Sequence, residues 1–93
     1  MAKWIKLSNE GWVVEDIQPE NGTDFTAREL HNAVEGYIEL VELSDDEWLV
    51  ANEDGMRDKL VNPIASDLCF HLLGSKYSAI YGNVVICKKS EIV

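Results

Sequence analysis

Basic residues are scarce in this chain of 93: eight Lys and Arg stand against seventeen Asp and Glu, for a net charge of −9. Phosphate backbones are bound by clustered Lys and Arg, so direct contact with nucleic acid is not expected. Long apolar runs are missing too. No stretch approaches the roughly eighteen residues a membrane helix needs, and the opening MAKWIKLSNE holds no apolar run of the secretory kind. The reading therefore expects a cytoplasmic protein without membrane contact. Cysteine is limited to Cys69 and Cys87, in neither a CxxC nor a CxxH pattern. No zinc site or disulfide framework is expected, and thiols in a reducing cytosol remain unpaired. The GxSxG, GxGxxG, P-loop and HExxH signatures of common catalytic and nucleotide sites are also missing.

What is present suits a small folded domain. A 46% hydrophobic fraction with three tryptophans exceeds what disordered segments carry. The length fits one α+β domain over residues 1–93. A chain of this size buries only roughly 60 to 65% of its surface, so self-association into a homo-oligomer is a natural supplement to its stability.

Short strand-forming segments at Trp4–Leu7 and Trp12–Ile17 flank Ser8-Asn9-Glu10-Gly11 and read as a hairpin. Thr26 and Glu29 then form a capping box, with Phe25 and Leu30 as the hydrophobic staple. The spacing predicts a helix over 27–35 with Ala27, Leu30, Ala33 and Val34 on one face, and Gly36 as its left-handed end. Tyr37–Leu43 and Glu47–Ala51 read as an antiparallel pair joined through Ser44-Asp45-Asp46. Asn62-Pro63 starts a second helix with Ile64, Leu68 and Leu72 as its apolar stripe, closed by Gly74. Ile80–Lys88 reads as a last strand, unless Gly82-Asn83 turns it into two. The predicted order is β-β-α-β-β-α-β: an antiparallel sheet of about five strands, with both helices on one face.

Residues 51–63 pack three acids and two bases around one glycine, and Asn52-Glu53-Asp54-Gly55 is their candidate loop. Aligning Gly55 with the invariant glycine of a calcium loop puts Asn52 and Asp54 at ligand positions, but Val50 and Val61 at the first and last. Valine side chains cannot coordinate calcium. Asp54-Gly55 is therefore read as a turn that supplies a positive φ. His31 and His71 are each read as lone helical histidines and not as ligands, and Cys69 and His71 point to different helix faces. No cofactor, metal or catalytic set is expected. Glu39 and Glu42 fall on opposite faces of one strand and are not an acid/base pair. The tryptophans have two readings: core anchors of the sheet, which is favoured, or part of an interaction patch. The candidate interaction surface is Trp12, Trp48, Glu39, Asp45, Asp46, Glu53 and Asp54.

With these elements placed, residues 28–88 resemble the domain of unknown function 3846 family. The resemblance rests on VEGYIELVEL at 34–43, NEDG at 52–55, LVNPIA at 60–65 and IYGNVVI at 80–86. Where members of that family commonly carry two glycines, this chain has Glu35-Gly36. The resemblance implies an accessory product of phages, plasmids or other mobile elements, acting in a bacterial host's cytoplasm. It implies no catalytic or ligand residues. The expectation is a non-enzymatic domain that binds a bacterial host protein, such as a defence factor. The alternatives are a small-ligand binder or cryptic enzyme using the groove between sheet and helices, and a DNA mimic.

Overall fold

The computed structural model describes residues 2–74 and 79–92. The chain runs β1 (Ala2–Ser8), β2 (Gly11–Ile17), α1 (Ala27–Val34), β3 (Ile38–Glu42), β4 (Glu47–Asn52), α2 (Gly55–Asp58), α3 (Pro63–Leu73) and β5 (Val84–Lys88), then one 3₁₀ turn, Lys89–Glu91. The strands form one antiparallel sheet in the order β2-β1-β5-β4-β3. The predicted α+β class and element order hold, with α2 as an additional single turn of helix.

The helices do not share a face, and this corrects the expected layering. Side chains alternate along a strand. Ile5, Val41, Leu49, Ala51 and Val84 join Ala65 and Cys69 of α3 in one buried cluster. Ala2, Val50, Val85 and Cys87 join Leu30, Ala33 and Val34 of α1 in another. Cys69 and Cys87, both free and buried, are thus on opposite sides of the sheet and cannot meet. Strands covered on both faces have no polar alternation, and Leu49-Val50-Ala51 and Val84-Val85-Ile86-Cys87 carry that pattern.

α1 starts as its sequence dictates. The Thr26 hydroxyl accepts from the Glu29 amide at 3.2 Å, and the Glu29 carboxylate accepts from the Thr26 amide at 2.9 Å and the Glu20 amide at 3.0 Å. Those backbone donors hold the Glu29 carboxyl below its ordinary range. Phe25 and Leu30, each 1% exposed, occupy the same cluster. The end of α1 differs from expectation. The left-handed residue is Glu35 (φ 64°), not Gly36. Gly36 is required for space, because a Cβ there would lie 2.7 Å from Asn52 Nδ2.

α3 starts at Asn62 as predicted, but its buried stripe is rotated. Asn62 Oδ1 accepts from the Ala65 amide at 3.0 Å while its Nδ2 donates to the Gly82 carbonyl at 2.8 Å. This two-sided anchor turns Ala65, Leu68, Cys69 and Leu73 inward and leaves Ile64 and Leu72 exposed. The last strand begins at Val84, not Ile80. The Ile80 amide donates to Ser66 Oγ (2.7 Å), Tyr81 bridges Val61, and Gly82 takes φ 79° before the strand forms.

Candidate functional site

The four stretches that carry the family resemblance converge at one end of the sheet, where β1 and β4 finish and β3 and β5 begin. Asn52, buried at the end of β4, donates through Nδ2 to the carbonyls of Val34 (3.0 Å) and Glu35 (3.2 Å). Its Oδ1 accepts from the Asp54 amide at 2.8 Å. One side chain thereby ties the end of α1 to β4 and to the start of α2, and its polar atoms are fully used by the protein. The expected positive φ at Gly55 is not found. Gly55 opens α2, and a Cβ there would meet the Tyr81 carbonyl oxygen at 3.0 Å. The polar loop is a packing junction between β4, α2 and the segment before β5.

Around this junction several apolar side chains face solvent. Tyr37 is 70% exposed, Met56 78% and Leu60 66%, with Leu7 and Val61 near half. Leu7, Trp12 and Leu60 line a hollow of ≈ 240 Å³ with Glu35, Asp58, Lys59 and Asn83. Its walls are fixed by two contacts: Lys59 Nζ donates to the Glu35 carboxylate at 2.7 Å, and the Leu7 amide donates to Asn83 Oδ1 at 2.9 Å. A second hollow of ≈ 220 Å³ lies beside edge strand β3. Val41, Ala51, Met56, Ile80 and Tyr81 form its apolar walls, with Glu39 and Glu53 among its lining residues. Among the described residues neither of those carboxylates pairs with a base.

The residues singled out from sequence do not form one surface. Glu39 and Glu53 both line the hollow beside β3, with Asp54 following Glu53 in the chain. Trp12 lines the other hollow. Trp48 is half-buried against the α1-side core, with the Lys89 ammonium 4.7 Å from its ring centre. Asp45 and Asp46 sit beyond it in the β3–β4 connection, where the Lys89 amide donates to the Asp46 carbonyl at 2.7 Å. Trp4 is half-buried against the same core, and its indole N–H donates to the Ala33 carbonyl at 3.1 Å. Sequence reasoning missed the exposed apolar group of Tyr37, Met56 and Leu60. A signal existed: Met56 and Leu60 stand four apart in an otherwise polar run, outside every strand and helix predicted from the sequence.

The other chemistry-bearing side chains stay apart. His31 stacks edge-on against Tyr37, and exposed His71 lies 3.5 Å from Asp67. Burial raises the Cys69 thiol pKa. Burial, then the charges of Glu91 and Glu47, pushes Cys87 up to about 12. Thiols held protonated in this way are poor nucleophiles. Among the described residues no group of three His, Cys, Asp or Glu is placed to hold a metal ion, and no helix is long and apolar enough to cross a membrane.

The family model described as Domain of unknown function (DUF3846) matches residues 8–92 of the chain. No curated protein and no solved structure matches it.

Proposed function

The chain belongs to the domain of unknown function 3846 family, and from that premise we propose that it is a non-enzymatic domain that binds a protein. The observation that carries this reading is the group of exposed apolar side chains, Leu7, Tyr37, Met56 and Leu60, set among Glu35, Glu39, Glu53, Asp54 and Asp58 at one end of the sheet. Apolar surface left in water and rimmed by charge is the usual composition of a docking site. A net charge of −9 selects basic partners and steers them inward. The setting implied by the resemblance, an accessory protein of a mobile element in a bacterial cytoplasm, makes the partner a host protein.

Two other readings have less support. The hollows beside Trp12 and Glu39, at ≈ 240 and ≈ 220 Å³, are smaller than the roughly 300 to 1,000 Å³ of typical small-molecule pockets, and the larger one of ≈ 420 Å³ at His31, Asn32, Glu35, Gly36 and Tyr37 lacks their mostly apolar lining. DNA mimicry needs an unbroken array of carboxylates. Asp16, Glu15, Glu35 and Glu42 are instead each neutralised by a lysine: Lys3, Lys6, Lys59 and Lys89.

A thermal-shift panel of nucleotides, metal ions and common metabolites separates protein binding from small-ligand binding. A ligand at 100 times its Kd stabilises by about 2.7 kcal/mol, which for a domain of this size moves Tm by many degrees. The protein-binding reading predicts no such shift. A saturable shift with one small molecule would overturn it.

A further inference from the structure

We propose that the partner docks as an extended strand along the outer edge of β3, placing a lysine or arginine side chain in the hollow beside Glu39 and Glu53. This inference rests on the protein-binding reading and specifies how the partner binds. The Glu53 amide donates to the Tyr37 carbonyl and the Leu43 amide to the Glu47 carbonyl. In an antiparallel ladder bonded pairs alternate with unbonded ones. With Glu39 opposite Ala51 and Val41 opposite Leu49, Tyr37, Glu39, Val41 and Leu43 direct their N–H and C=O groups at β4. Ile38, Leu40 and Glu42 direct theirs outward. β3 ends the sheet order, and among the described residues no backbone partner occupies that side. Such a row of unpaired groups is a template for an added strand.

Glu39 and Val41 share the face that borders the ≈ 220 Å³ hollow, whose apolar walls include Met56, Ile80 and Tyr81. A strand added to β3 presents every second residue to that face. The hollow suits a side chain with a long apolar stem and a cationic head: the stem against Val41 and Tyr81, the head between two carboxylates. Leu40, 41% exposed on the opposite face, offers a second, apolar contact.

β3 carries Glu39 and Glu42, and the whole chain is −9, so a second copy is repelled where a basic strand is attracted. The occupant is an extended basic segment of another protein.

The test is NMR titration of the isotope-labelled chain with the capped peptide Thr-Val-Thr-Lys-Thr-Val-Thr, and with the same peptide carrying Glu in place of Lys. The expected result is saturable movement of the Ile38, Leu40 and Glu42 amides, with the Glu peptide bound at least about tenfold more weakly. Leu40→Pro removes one outward N–H at a position where an edge strand tolerates proline, and is expected to abolish the movement. Glu39→Gln with Glu53→Gln is expected to erase the Lys/Glu preference while leaving the fold intact. Movement confined to Leu7, Trp12 and Leu60 would overturn strand addition while the protein-binding reading survived. Indifference to the Lys-to-Glu exchange would overturn the assigned role of the hollow. Movement of the three edge amides with protein concentration alone would show that a second copy takes the edge, and would overturn the choice of occupant.

Discussion

Replacing Glu35 by glycine should stabilise this protein, although it deletes an ion pair. Glu35 is the one non-glycine residue with positive φ among the described residues, at φ 64° and ψ 40°. A side chain in this conformation costs about 1 to 2 kcal/mol, because its Cβ crowds the following carbonyl. Glycine removes most of that cost. Against this stands the Lys59–Glu35 pair, with the two side chains 27% and 57% exposed. Pairs this accessible contribute about 0 to 1 kcal/mol, so the net gain is small. Glu35→Ala isolates the backbone effect, since it also deletes the pair but keeps the Cβ. The Gly variant should exceed the Ala variant by about 1 kcal/mol. For a domain this small that is about 4 to 8 °C in Tm. Urea unfolding followed by tryptophan fluorescence measures the difference directly. Within a helix the order inverts, alanine being better by about 1 kcal/mol. A more stable Ala variant would therefore refute the left-handed cap.

The capping box of α1 gives a graded pair: Thr26→Ala should cost about 1 kcal/mol, and Leu30→Ala about 2 to 4 because Leu30 is fully buried; equal effects in urea unfolding would contradict the core assignment. Asn62→Ala leaves the Ala65 amide and Gly82 carbonyl unpaired in a buried site and should cost about 2 to 4 kcal/mol, with Asn62→Asp recovering only the cap. The raised Cys87 pKa makes stability pH-dependent on the alkaline side. The fold accepts only the neutral thiol, so the full contribution is present below the ordinary thiol pKa of 9.0 and is lost as pH rises through about 12. Urea midpoints from pH 8 upward should accordingly fall less steeply for Cys87→Ala than for the parent chain.

The local elements were legible in the sequence because short-range chemistry decides them. Thr26 with Glu29 and Asn62 with Pro63 fix helix starts through contacts within one turn. The layering was not legible from helical stripes, since α1 and α3 each offer one apolar face wherever they sit. It was written instead in the unalternating strands Val84–Cys87 and Leu49–Ala51. The two junction glycines were misassigned for one physical reason. Gly36 and Gly55 are small because Asn52 and Tyr81 approach them across the fold, and a long-range contact leaves no mark at its own position in the chain. The same holds for the acidic residues of the interaction surface. Composition showed that acid predominates, but only strand register brought Glu39 to Glu53 and left Asp45 and Asp46 elsewhere.

The proposed action of this chain is to bind a basic protein through the acidic, apolar-walled end of its sheet. Its most direct measurement is quantitative capture from bacterial lysate on the parent chain and on the charge-reversed variant Glu39→Lys with Glu53→Lys, across a salt series. The parent chain should retain a basic protein saturably, less as salt screens the acidic surface, and the reversed variant should lose it. A partner retained equally by both chains, or no saturable protein partner at all, would contradict it.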